Sequence, residues 1–249
     1  MSERRPDLGD LGLADGLQEL DGWRADTELV TLVERCIAAQ RSADTGFRPA
    51  PAAEGLAAVS EDALRAILAT SRDIHGVATD PAISNVIVFN ASNVADAVTS
   101  RAISALRARV DAHVEAKLRA LVPAASQLMV VPSGHFWYPP GSYMGWHTNN
   151  RAPGVRIYVT HAEEPGRSFF RYRDPDTDQV VTAPDDRWNV RAFRVGSDKP
   201  FWHAVYSETH RFSFGYMVLH RSSAEWLRRM LGGIPGLRTV TRWLLPRPF

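Results

Sequence analysis

Two hydrophobic periodicities divide the chain near Pro123. Upstream of it, apolar residues recur at three- and four-residue spacing, the signature of helices with one buried side. "DTELVTLVERCIAAQ" (26–40) sets Leu29, Val30, Val33, Ile37 and Ala38 on one side. "SEDALRAILATSRD" (60–73) predicts a short helix capped by Ser60, with acidic residues in its first turn. "RSADTGFRPAPAAEG" between them is a linker by its Pro, Gly and Ala content. "SNVIVFN" predicts a short strand. Ser92 or Asn93 then caps a long helix over about 93–121, which buries Val94, Val98, Ile103, Leu106, Val110 and Val114 and is stopped by Pro123. Residues 1 to about 22 are rich in Gly, Asp and Leu and read as loosely ordered.

Downstream the period falls to two. "SQLMVVPSGHFWY", "GVRIYVTHA", "RSFFRYRD", "QVVTAP", "WNVRAFRV", "FWHAVYS" and "HRFSFGYMVLH" each read as a strand, and "PDTD" as a hairpin turn. Short strands at this spacing, about eight in all, predict a sandwich or barrel. The expected class is α+β: a helical region (1–122) packed on one face of an antiparallel β core (123–221), followed by a C-terminal tail (222–249). The tail alternates Arg228, Arg229, Arg238, Arg242 and Arg247 with Trp226, Leu227, Met230, Leu231, Trp243, Leu244 and Leu245. Such a basic amphipathic segment suits docking on the core or on a second subunit, or contact with a lipid surface.

Composition narrows the functional classes. Of 249 residues, 45% are hydrophobic and 23% charged, which fits an ordinary globular protein. A formal net charge of +1 gives no reason to expect nucleic acid. The single cysteine, Cys36, excludes an intrachain disulfide or a thiolate metal cluster and suggests a reducing, cytoplasmic setting. "MSERRPDLGD" has no apolar signal-peptide core, and no run of 18 apolar residues suggests a membrane span.

The candidate chemistry lies in the β half. His147, in "MGWHTNNRAPGVRIYV", follows a Pro/Gly-rich approach and precedes a strand bearing Arg156. His203, in "PFWHAVYS", lies in the next-to-last strand, and Arg211 and Ser213 open the last one. Iron(II) with open coordination positions needs few protein ligands, commonly two histidines and a carboxylate. A chelating dicarboxylate such as 2-oxoglutarate then needs a cation for its far end, and arginine offers a planar fork of donors for it. Ser213 shares a strand face with Arg211, so the two could hold one carboxylate together. Asn149 stands two residues after His147, where many mononuclear iron enzymes carry an aspartate. It reads either as a weak carbonyl ligand or as turn chemistry.

These motifs resemble the Fe(II)/2-oxoglutarate-dependent oxygenases. Over residues 128–220, "PPGSYMGWHTNNRAPGVRIYV" and "HAVYSETHRFS" are closest in pattern to the aspartyl/asparaginyl β-hydroxylase branch. The resemblance implies a double-stranded β-helix (jelly-roll, cupin-like) core. It implies Fe(II) held by His147 and His203, with Asn149 or water completing the site. It also implies 2-oxoglutarate bound by Arg211, Ser213 and Arg156, and hydroxylation of a small-molecule, amino-acid or carrier- or peptide-bound substrate. Two alternatives stand beside it. One is a cupin-like metal dioxygenase or isomerase that has no need of the Arg211/Ser213 pair. The other is a metal-free β-barrel binding module, which would leave the two histidines apart.

Other histidines read less specifically. His161, with Glu163 and Glu164, reads as part of a charged loop, His210 as surface, and His135 as core with pocket lining as its alternative. Trp137, Tyr138, Tyr143 and Trp146 read as core or pocket wall.

Overall fold

The computed structural model describes residues 16–43, 54–70, 83–84, 87–88, 97–121, 128–149, 154–196 and 200–220. In chain order the elements are β1 (Gln18–Glu19), α1 (Asp21–Arg24), α2 (Thr27–Ser42), α3 (Gly55–Ala58) and α4 (Glu61–Thr70). Two short strands follow, β2 (Ile83–Ser84) and β3 (Ile87–Val88), and then the long helix α5 (Ala97–Ala120). The β half comprises β4 (Leu128–Tyr138), β5 (Ser142–His147), β6 (Gly154–Ala162), β7 (Ser168–Arg173), β8 (Val180–Pro184), β9 (Trp188–Val195), β10 (His203–Ser207) and β11 (Arg211–His220). The C-terminal tail, the linker after α2 and the predicted cap at Ser92 or Asn93 lie outside the described residues.

Two antiparallel sheets face each other. One has the strand order β1-β9-β6-β11-β4-β3, the other β2-β5-β10-β7-β8. The longer strands pass back and forth between the sheets: β4, β6, β9 and β11 in the first, β5, β7, β8 and β10 in the second. Each late strand is laid between earlier ones, β11 between β4 and β6, and β10 between β5 and β7. That is the topology of a double-stranded β-helix, and among the described residues neither sheet closes into a barrel. Strands contributed from before Pro123 extend both sheets: β1 pairs β9, β2 pairs β5 and β3 pairs β4.

Side-chain alternation builds three apolar layers. On the outer face of the six-stranded sheet, Ile157, Val159, Phe212, Phe214, Tyr216 and Val218 pack against Leu29 and Val33 of α2 and Val110 and Val114 of α5. Between the sheets, Tyr138, Met144, Phe170, Phe193, Phe201 and Val205 form a second cluster. On the outer face of the five-stranded sheet, Tyr143, Trp146, Trp202 and Ala204 pack against Val59 and Leu64. The larger helices thus cover one sheet, and the short α3–α4 segment covers part of the other.

Local chemistry explains the helix starts. Asp26 caps α2, accepting from the Leu29 amide at 2.9 Å, and also receives Lys117 Nζ of α5 at 2.6 Å. Ser60 caps α4 as the sequence predicts, its Oγ accepting from the Ala63 amide at 3.1 Å. The buried stripe of α2 turns toward Leu32 and Cys36 rather than Ala38, which is exposed. Val98 of α5 is 65% exposed, so that helix enters the core only from Ile103 onward. The segment expected to be loose forms β1 and α1 instead, because Leu20 and Trp23 join the core beneath the sheet.

Candidate active site

His147 is the last residue of β5, a strand where the Pro/Gly-rich sequence predicts only an approach loop. His203 is the first residue of β10. The two are direct partners in the antiparallel register, and their ring centroids lie 4.1 Å apart at 50°. Each ring is anchored from behind. His147 Nδ1 lies 2.8 Å from the Gly145 carbonyl, and His203 Nδ1 lies 2.9 Å from the Phe201 carbonyl. A carbonyl can only accept, so both Nδ1 atoms carry the proton and both Nε2 atoms keep a lone pair.

Burial keeps the pair neutral. Desolvation pushes His147 down to about 4. His203 is held well below its usual value, first by desolvation and then by His147 beside it. Both rings line a cavity of about 180 Å³, which also receives Tyr138, Tyr158, Arg211 and Ser213. This neutral, Nδ1-anchored state is the one a metal-ligating histidine requires.

Asn149 has φ 57°, a left-handed conformation that Asn tolerates better than most residues. The turn brings its side chain back over the site, where Nδ2 lies 3.2 Å from His203 Nε2. An amide flip would turn Oδ1 to the same point. Among the described residues no group of three His, Cys, Asp or Glu side chains forms a metal site. The donors that fit Fe(II) here are therefore two imidazoles and, at most, an amide oxygen. Imidazole suits iron, and this set leaves open positions for a chelating co-substrate.

Arg211 and Ser213 sit on the cavity face of β11 as their spacing predicts. The Arg211 side chain is 2% exposed, lies over the Tyr138 ring with 5.2 Å to its centroid, and donates Nε to Asp185 Oδ2 at 2.7 Å. Nothing in the sequence singles out Asp185. It follows Pro184 at the end of β8, and "APDD" looks like an exposed turn, yet the Asp185 side chain has no exposure at all. It also accepts Ser168 Oγ at 2.7 Å and Arg191 Nη1 at 2.5 Å. Burial alone would raise its pKa, but the Arg211 and Arg191 guanidiniums hold it below the ordinary value.

Arg156 is buried on the same β6 face as Tyr158 but does not line the cavity. Desolvation pushes it down to about 10, and its charge reaches His203. The remaining histidines face elsewhere. His135 points to the helices, with Nε2 3.0 Å from Asp111 Oδ1. His161 belongs to β6 rather than to a charged loop and packs on Trp188 and Phe212. His210 is half-buried and receives Trp137 Nε1 at 3.0 Å. Tyr138 lines the cavity, whereas Tyr143 and Trp146 belong to the outer layer.

No protein-family model matches this chain, and no curated protein matches its sequence. Solved structures resemble it at low identity. A Pseudomonas putida prolyl-4-hydroxylase is 12% identical with a TM-score of 0.47, covering 86% of this chain and 96% of its own. A Trichoplax adhaerens prolyl hydroxylase, in complex with a hypoxia inducible factor peptide fragment, is 10% identical with a TM-score of 0.45, covering 88% and 90%. A Burkholderia pseudomallei oxidoreductase of the 2OG-Fe(II) oxygenase family is 13% identical with a TM-score of 0.38, covering 66% and 82%.

Proposed function

We propose that this protein is an Fe(II)- and 2-oxoglutarate-dependent oxygenase that hydroxylates an unactivated C–H bond of a small-molecule, amino-acid or carrier- or peptide-bound substrate. One observation carries the reading. Two neutral imidazoles with anchored Nδ1 atoms meet on one rung, in the same cavity as a buried Arg-x-Ser pair. Bound iron would supply oxygen activation coupled to oxidative decarboxylation of the co-substrate. His147 and His203 hold the metal, and Asn149 stands over the position a carboxylate would occupy. Arg211 and Ser213 take the far carboxylate of 2-oxoglutarate, with Arg156, farther along the β6–β11 pair, as a second cation for the co-substrate. Tyr138, Tyr158 and Met144 wall the cavity and keep water from it. A reducing, cytoplasmic setting belongs to the same reading, on the strength of the single buried Cys36. Among the described residues no helix is long and apolar enough to cross a membrane.

A second reading, a cupin-like metal dioxygenase or isomerase without 2-oxoglutarate, draws support from Asp185, which already opposes the Arg211 charge. Anaerobic titration of Fe(II) and then 2-oxoglutarate separates the two. The oxygenase gives a visible metal-to-ligand charge-transfer band that saturates with co-substrate. Iron binding without that band favours the cupin-like enzyme. Failure to bind iron at all removes both.

A further inference from the structure

Asp185 occupies an unusual place between the two sheets. It ends the β8 segment of one sheet, while its two cationic partners, Arg191 on β9 and Arg211 on β11, belong to the other. Its backbone is fixed on both sides, the amide donating to Ser168 O at 2.8 Å and the carbonyl accepting from Gly166 N at 2.8 Å. Its carboxylate accepts three bonds: Oδ1 takes Arg191, and Oδ2 takes Arg211 Nε and Ser168 Oγ. Arg191 is in turn held by Glu19 of β1, Nε to Oε1 at 2.5 Å. The result is a row of alternating charge that runs from exposed Glu19 through buried Arg191, Asp185 and Arg211 to the cavity.

The consequence lies in which Arg211 atom Asp185 takes. It takes Nε, on one edge of the guanidinium; among the described residues the two terminal nitrogens make no hydrogen bond to protein, and the guanidinium otherwise rests over the Tyr138 ring. An arginine can serve Asp185 with one edge and still present a two-pronged face to a ligand carboxylate. A lysine cannot, because its charge sits on one nitrogen.

We propose that Asp185 is a positioning residue that makes arginine obligatory at position 211. It fixes the guanidinium plane so that the terminal nitrogens address the far carboxylate of the co-substrate, and it would capture any lysine placed there. The proposal rests on the reading of the site as a 2-oxoglutarate site. Asp185 touches neither metal nor co-substrate and acts only through Arg211.

The test is a double-mutant cycle on the Fe(II)-loaded protein without oxygen. It reads 2-oxoglutarate affinity by calorimetry and Fe(II) affinity separately. Wild type binds, and Arg211→Lys binds no better than Arg211→Ala, both weakened by at least about thirtyfold. Asp185→Asn then restores at least about tenfold when added to Arg211→Lys and brings no gain when made alone. Fe(II) affinity stays unchanged in every protein of the cycle. Near-wild-type affinity in Arg211→Lys overturns the proposal without need of the Asp185 variant, should that variant fail to fold. So does an equal gain from Asp185→Asn with and without Arg211→Lys, which marks a general field effect, and so does no gain in either. If wild type binds iron but no 2-oxoglutarate, the functional reading itself falls. If wild type binds both and the cycle shows no coupling, only the role of Asp185 falls.

Discussion

His147 and His203 are register partners on strands far apart in the chain, with ring centroids 4.1 Å apart. The sheet, rather than any loop, sets their separation. Because the Nδ1 anchors are backbone carbonyls of residues 145 and 201, no side-chain substitution at those positions would directly remove them. Losing an outer-shell partner typically weakens metal binding 10–100-fold. Removing a ligand should exceed that, so His147→Ala and His203→Ala should each weaken Fe(II) binding by more than about a hundredfold. Anaerobic equilibrium dialysis measures it, and retention of iron by either variant would displace the metal centre from this rung.

Asn149 offers a contrasting substitution. In its present rotamer Nδ2 faces the His203 lone pair, and an amide flip would be needed for Oδ1 to serve as a ligand. Asn149→Ala should weaken Fe(II) binding by less than about tenfold, with a small loss of stability from placing alanine at φ 57°. Asn149→Gly lacks that strain and isolates the effect of the side chain. A loss of iron as deep as that of His147→Ala in both variants would identify Oδ1 as a true ligand.

Much of the site is legible in the sequence because it lies on regular strands. Period-two alternation puts Arg211 and Ser213 on one face, and the structure keeps them there. The β5 strand is obscured because "PPGSYMGW" carries turn residues, although Ser142–Trp146 are all buried. Asp185 is hidden for a different reason. A buried aspartate after a proline looks like any exposed turn until its two arginine partners, six and 26 residues away, are folded against it. His161 reads as a loop residue because its neighbours are charged, whereas the helix layer covers the β6 face on which it lies.

Gly215 marks a close approach of β11 to β4. A Cβ there would lie 2.8 Å from the Gly134 carbonyl, 3.1 Å from the Tyr158 ring and 3.2 Å from Ser133 Oγ. The carbonyl cannot swing aside as a side chain would, so overpacking at Gly215→Ala should cost roughly 1–3 kcal/mol. Ser133, Gly134 and Tyr158 all line the cavity, so 2-oxoglutarate affinity should fall as well. Urea denaturation should show a lower midpoint at unchanged slope. A midpoint equal to that of wild type would mean that β11 and β4 separate easily.

Burial of His161 should make its packing acid-sensitive, away from the candidate site. The ring is buried against Trp188 and Phe212, and its Nδ1 has no hydrogen-bond partner among the described residues. Desolvation pushes it from the usual 6.5 down to about 4. Between those values the unfolded chain holds the extra proton, so its contribution is intact above about 6.5 and is lost as pH falls toward about 4. His161→Phe should flatten the fall in urea midpoint between pH 6.5 and 4 relative to wild type. Parallel curves for the two proteins would show that His161 is not desolvated.

Arg211 and Arg156 should separate by what they lose. Arg211 lines the cavity, whereas Arg156 lies six register positions farther along the β6–β11 pair, buried and pushed down to about 10. Arg211→Ala leaves the far carboxylate of 2-oxoglutarate desolvated without a partner, a loss of about 2–5 kcal/mol. By the 1.4 kcal/mol-per-decade rule that is roughly thirtyfold to several-thousandfold in affinity. It also strips Asp185 of one of its two cations, so the urea midpoint should fall too. Arg156→Ala acts on the co-substrate from farther off, so its loss should be smaller, while relief of a desolvated cation should ease protonation at His203, whose pKa Arg156 depresses. Calorimetric titration of 2-oxoglutarate into the Fe(II)-loaded wild type and both variants orders the three affinities. If Arg211→Ala binds as tightly as wild type, the co-substrate assignment fails and the cupin-like enzyme becomes the better description. If Arg156→Ala is the weaker of the two variants, the far carboxylate lies deeper along β6 than the cavity wall suggests.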